Sequence, residues 1–152
     1  MANTIRERII LAALIQLALI QISGGYHYDM ETPLRAVKDV PPGLLPVSDL
    51  YPQPEESVAQ YGKDNPTFTL RVESLQNVAL GDNASVIQEK MLGDLRKNLT
   101  NPAEKWYSGL ADSVKYAEGG PTDQPEAEAE TTAIYVLLTI DYKTALGDPY
   151  ST

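Results

Sequence analysis

A chain of 152 residues, 43% apolar and 22% charged, has the size and composition of one globular domain with its own core. It holds no cysteine and one histidine, which excludes disulfides, thiol nucleophiles, Cys-ligated zinc or iron–sulfur centres and a multi-histidine metal site within one chain. The net charge of −9 opposes binding to nucleic-acid phosphates or to an anionic membrane surface, since both need a basic face.

Arg6 and Arg8 precede an apolar run from Ile9 to Ile22. Secretory signal peptides share that layout, but Glu7 lies between the arginines, Gln16 and Gln21 interrupt the run, and Ser23-Gly24-Gly25 is no A-x-A cleavage site. The run is also shorter than the ~20 residues that span a bilayer. It predicts a helix from Thr4 to Ile22, with Asn3 as N-cap, Glu7 in the positive first turn and Gly24 or Gly25 closing it. Apolar residues cover nearly its whole circumference, so it needs cover on more than one side: from its own sheet and from a second subunit.

Residues 26–54 carry six prolines, which forbid a long helix and leave short extended pieces at 34–39 and 45–50. Residues 55–65 read as a polar loop. The stretch Thr67-Phe68-Thr69-Leu70-Arg71-Val72-Glu73 then alternates strictly and predicts a half-buried strand. Leu75 breaks the parity, which predicts a bulge or strand end near Ser74. Ile87, Met91, Leu95 and Leu99 recur every four residues and predict a helix over 84–99, capped by Asp82 or Asn83. Asn101-Pro102-Ala103-Glu104 has the form of a helix start, with Trp106, Leu110 and Val114 as the buried side of a short helix.

Glu118, Asp123, Glu126, Glu128 and Glu130 fall in one stretch with no basic residue. With Gly119-Gly120-Pro121 and Pro125 beside them, residues 118–131 are expected to form an acidic mobile loop or hairpin tip. From Ala133 to Thr144 the chain alternates again. Ile134, Val136, Leu138, Ile140 and Tyr142 share one face, and Tyr135 and Leu137 lie on the other, as in a central strand. The chain ends on Gly147-Asp148-Pro149-Tyr150, a turn that presents a tyrosine. The expected fold is a single small α/β (α+β) domain over residues 1–152: a mixed sheet of about four to five strands with two main helices packed on it.

No group of residues has the form of a catalytic site. His27-Tyr28-Asp29-Met30-Glu31 lacks a second histidine and helical ligand spacing, and reads as a polar loop. Asp82-Asn83-Ala84-Ser85 lacks the ligand series of a calcium loop, Gly119-Gly120 lacks the Lys-Ser/Thr of a phosphate loop, and no G-x-S-x-G elbow is present. The expectation is a protein that is not an enzyme and takes no cofactor or metal. Asp148, Pro149 and Tyr150 are candidates for a subunit or partner interface, because a turn-fixed aromatic near a terminus suits an interface anchor.

The order of these elements resembles the tail terminator (tail completion) proteins of long-tailed bacteriophages. The matching pieces are Ile5-Arg6-Glu7-Arg8-Ile9-Ile10, the strand Phe68 to Glu73, the helix segment Gln88 to Lys97, the strand Thr131 to Lys143, and Gly147-Asp148-Pro149-Tyr150. The Pro-rich stretch and the acidic insert depart from that pattern. The resemblance implies a mixed α/β subunit of a homo-hexameric ring that caps the tail tube, ends its polymerisation and joins tail to head. The implied partners are other copies of the chain, the tail tube protein and a head-side connector protein, with DNA only passing through the channel and no membrane. The implied location is the virion tail or neck, assembled in the host cytoplasm. Asp123, Glu126, Glu128 and Glu130 then become candidates for the lumen or ring face, where acidic subunits repel phosphates. Two other readings stand beside this one: a different phage neck or head–tail joining adaptor, and a soluble acidic binding domain of unknown ligand.

Overall fold

The computed structural model describes residues 2–37, 40–100, 109–122 and 131–152. In chain order they form α1 (Ile5–Leu17), β1 (Leu34–Arg35), β2 (Val47–Gln60), β3 (Lys63–Asn77), α2 (Ala84–Thr100), β4 (Ser113–Pro121), β5 (Thr131–Asp141) and β6 (Thr144–Ala145). The strands make one mixed six-stranded sheet in the order β1-β2-β3-β5-β4, with β6 also on β3. Only β1 and β2 run parallel. Four strands are long and two are two residues each, and both helices pack on one face of the sheet. The class is α+β.

Alternation in β3 and β5 decides which face is covered. The antiparallel register sets Phe68 opposite Ile140, Leu70 opposite Leu138 and Val72 opposite Val136, so their side chains stand together on one face. There, with Leu50 and Tyr142, they meet Ile5, Ile9, Ala13 and Leu17 of α1 and Met91, Leu95 and Leu99 of α2. Each such aliphatic side chain contributes about 1.5–3 kcal/mol through its burial. β5 lies between β3 and β4, the central place its two-sided apolar pattern predicts. In α2 the four-residue stripe faces the core, and Asn83 caps it, its Oδ1 accepting from the Ser85 N–H at 3.0 Å.

Several expectations need correction. α1 ends at Leu17, not Ile22, and Thr4 rather than Asn3 is its N-cap, accepting from the Glu7 N–H at 3.0 Å. Past Leu17 the chain tightens: Leu19 N donates to Gln16 O and Ile20 N to Leu17 O, which swings Ile20 into the core. Gly25, at φ +90°, closes the next turn, Ile22–Gly24. No bulge falls at Ser74, where β3 pairs with β5 without interruption to Asn77. The irregularities lie between Pro52 and Glu55 in β2 and between Tyr116 and Glu118 in β4. Val114 belongs to β4 and not to a helix; Leu110 packs against the core, while Trp106 lies outside the described residues. Glu118 to Pro121 are also strand, paired with residues 134–137 of β5, rather than part of a loop.

The largest departure is at residues 55–65, expected as a polar loop. They are the outer half of a long β2–β3 hairpin with Tyr61-Gly62 at its turn, called the arm here. Gly62 takes φ +72° and Tyr61 φ +54°, both left-handed, as a two-residue hairpin turn requires. The C-terminal segment braces the inner side of the arm: Ala145 pairs with Lys63, and the Gly147 N–H donates to the Asp64 carboxylate at 2.9 Å.

Candidate functional site

The two helices are held together by polar groups as well as apolar ones. Gln16 Nε2 donates to Asn98 O and Asn98 Nδ2 to Gln16 O, each at 2.9 Å, a reciprocal clasp deep between α1 and α2. Asp94, also buried, accepts from the His27 and Tyr28 N–H groups and so ties the loop after α1 to α2. Burial pushes the Asp94 carboxyl above its usual range, against the opposing pull of those two N–H donors. His27 therefore belongs to an anchored loop. Asp29 accepts from the Ile22 N–H at 2.7 Å, and Met30 sits in the core.

Among the described residues these loops bring together no nucleophile and base. Among the described residues no cluster of three or more His, Asp or Glu side chains could hold a metal ion. A cleft of about 310 Å³ opens between Tyr28, the end of β3 and the first turns of α2. Its polar lining, including Gln76, Asn77, Asp82 and Lys90, pairs no nucleophile with a base. No described helix is long and apolar enough to cross a membrane.

What the fold does present is uncovered surface of two kinds. The first is a row on α1 and the turns after it. Leu11 and Ile15 lie one turn apart on α1, opposite its core face, and Leu19 and Ile22 follow in the turns after it; all are exposed, Ile15 to 71%. Their burial would be favourable, yet nothing in the described chain covers them. The second is the sheet face opposite the helices. Its carboxylates are already engaged: Glu73 pairs with Arg71 at 3.0 Å and Tyr135 Oη donates to Glu118 at 2.6 Å, while Asp49, buried at the edge of this face, accepts from Tyr51 Oη at 2.8 Å. Asp141 accepts from Thr67 and Ser113 hydroxyls at 2.6 and 2.8 Å. Arg71 also stacks on the Tyr135 ring at 4.4 Å, so its guanidinium is held in place beside the Glu73 carboxylate. Burial and the neighbouring Asp49 push the Tyr51 hydroxyl up to about 12.

The hydroxyls of Thr67, first, and Ser113 hold the Asp141 carboxyl below its usual range. A lowered folded value means stability present above about pH 4 and lost as pH falls through the folded value. Asp141→Asn is expected to flatten that acid limb of a melting-temperature profile and to cost about 1 kcal/mol at pH 7 through weakened hydrogen bonds. Asp94 works with the opposite sign, since its raised value favours the folded state as pH drops through it.

The C-terminal candidates are placed within their own chain. Pro149 O accepts from the Ile5 N–H at 2.9 Å, filling one of the donors that open α1. Asp148 accepts from the Tyr150 N–H and the Ser151 hydroxyl, and Ala145 N donates to Ser151 O. The segment is held within its own chain, while Pro149 and the Tyr150 ring, the latter 48% exposed, stay on the surface. Removing residues 147–152 should cost about 1–3 kcal/mol in lost hydrogen bonds and lower the melting temperature by several degrees. An unchanged melting temperature in differential scanning calorimetry would contradict these contacts. Asp123, Glu126, Glu128 and Glu130, the lumen candidates, lie outside the described residues.

No protein-family model matches this chain, and the search of curated proteins finds no match to it. The surfaces therefore carry the functional reading, with the helix row anticipated by the all-round apolar pattern of residues 9–22. For the arm, Tyr61-Gly62 was the available turn signal, masked by Pro52, Pro54 and the polar residues around it.

Proposed function

We propose that this protein is a structural virion subunit: a tail terminator that assembles as a homo-hexameric ring on the end of the phage tail tube, stops its growth and joins tail to head. The observation that carries the reading is the exposed row of Leu11 and Ile15 on α1, whose other side is core, continued by Leu19 and Ile22 in the turns after it. A soluble monomer has no use for such a row, whereas a subunit of an oligomer buries it. The fold class agrees with the resemblance in the sequence. The open sheet face agrees with a wall past which DNA moves, because its acids are internally satisfied and Arg71 is held by Glu73. Tyr150 is a further contact for the tube or a neighbouring subunit, and the acidic residues 123–130 suit the lumen.

The test is negative-stain microscopy of the purified protein mixed with tail tubes. Rings seated on the growing ends of the tubes, and tubes that no longer elongate, are the expected result. A ring that leaves tube ends bare and binds the head vertex instead would assign the protein to the head–tail adaptors. A strict monomer at high concentration, with no ring on any tube, would overturn the structural reading in favour of a soluble binding domain.

A further inference from the structure

The helix row needs a partner, and a second surface of the same chain has the matching properties. At the outer end of the arm Val58 is 67% and Tyr61 93% exposed, and Leu146, which follows the residue paired to Lys63 on the other side of β3, is exposed as well. We infer that the arm of one copy lies along the α1 row of the next copy, and that this heterologous contact closes the ring. The inference rests on the proposed function, whose subunit contact it names.

Three observations select a second copy as the occupant. The first is length. From Arg8 to its end at Leu17, α1 rises about 13 Å at helical pitch, and the stretch of β2 from Glu56 to Gln60 extends about 13 Å as strand. The second is charge. Arg8 stands exposed one turn before Leu11, and Glu56 shares a strand face with Val58; neither takes part in an ion pair among the described residues. With Glu56 against Arg8, the rise of each element brings Val58 to Leu11 and Tyr61 to Leu19. Lys63, also on that arm face, falls beyond Val58, towards the tip and away from Arg8. The third is rigidity. Arg6 donates to Gln53 O at 2.6 Å, lies 3.6 Å from the Glu55 carboxylate and stacks on Phe68 at 4.5 Å, so the root of the arm is fixed to the start of α1. Both halves of the contact thus belong to one stiff body, with one fixed rotation between successive copies, and such a contact closes when that rotation divides the circle.

The alternative route to a ring, pairing of sheet edges, is disfavoured at both ends of the sheet. Beyond β1 the free edge of β2 carries Pro52 and Pro54, which have no N–H to donate. The β4 edge is broken by its bulge and ends on Gly119-Gly120-Pro121. Side chains, not backbone, must then join the copies.

The test uses two full-length variants at exposed positions, Ile15→Lys on the row and Val58→Asp on the arm, each checked for native circular dichroism and melting temperature. Analytical ultracentrifugation should show the wild type as a ring and each variant alone as a monomer. A one-to-one mixture should give a dimer and nothing larger, because one intact row and one intact arm remain between the two chains. Arg8→Glu and Glu56→Arg should each raise the assembly concentration several-fold, and the two together should restore it. If Val58→Asp still forms rings while Ile15→Lys does not, the row is covered by something other than the arm, and the inference falls while the ring stands. If the mixture stays monomeric, the two surfaces do not meet. If wild type itself is monomeric, the ring reading beneath the inference falls first.

Discussion

Val136→Asp is expected to abolish cooperative folding. Val136 lies at the middle of the central strand, with Val72 opposite it on β3 and Gly119 on β4, and it is fully buried. A carboxylate there stands in the apolar core between the sheet and the two helices, with no ion-pair partner among the described residues. Burying an unpaired charge costs several kcal/mol, and removing the valine loses its own burial as well, so the expected loss is about 4 kcal/mol or more. That approaches the whole stability of an ordinary domain. Urea unfolding followed by far-ultraviolet circular dichroism measures it, with a sloping, non-cooperative signal expected for the variant. A melting temperature equal to wild type would remove β5 from the core and the sheet order with it.

Ile15→Lys should do the reverse, leaving the monomer intact and destroying assembly. The side chain is mostly exposed, so its replacement should alter folding stability by no more than about 0.5 kcal/mol. In the ring it would sit at the centre of the buried row, where a lysine loses its hydration. Centrally placed anchors of this kind commonly contribute about 2 kcal/mol or more to binding, a factor of roughly 30 per contact. A ring repeats the contact, so a modest loss at each one is enough to leave monomers at working concentrations. Sedimentation velocity over a concentration series reads this directly. A variant that assembles like wild type would show that the α1 row is ordinary exposed surface.

The two predictions differ in how openly their residues declare themselves. Val136 could be placed in the core from its neighbours alone: Ile134, Val136, Leu138 and Ile140 alternate, and the period of two has one structural meaning. Met91, Leu95 and Leu99 are equally plain at a period of four. Ile15 was harder. In a run apolar on every side, periodicity distinguishes neither the buried face from the exposed one nor the place where the helix stops. Ile9 and Ala13 point to the core and Leu11 and Ile15 do not, because α2 and the sheet meet α1 along one line, and the Gln16–Asn98 clasp fixes that line. The end at Leu17 likewise depends on Ile20 turning inward to give its carbonyl to the Met30 N–H.

The arm illustrates the remaining gap. Glu55 to Gln60 carries no hydrophobic alternation and follows two prolines, so local preference favours loop. It becomes strand because β3 offers a continuous ladder and the tail beyond β5 covers the other side of Lys63 and Asp64. The same holds for the order of the C-terminal turn, which depends on the Ile5 N–H taking the Pro149 carbonyl and on the Ser151 hydroxyl reaching Asp148.

By itself, then, the amino-acid sequence determined the α+β class, the central strand, the α2 core face and the absence of any Cys- or multi-His-based chemistry. Those follow from periodicity and composition, which are local and additive along the chain. Only the tertiary structure decided which side of α1 faces water, that residues 55–65 form an arm rather than a loop, and that the C-terminal turn braces that arm and the first helix. Each depends on hydrogen-bond partners or apolar surfaces supplied from tens of residues away, and on the fact that a backbone group already satisfied there has no need of another partner.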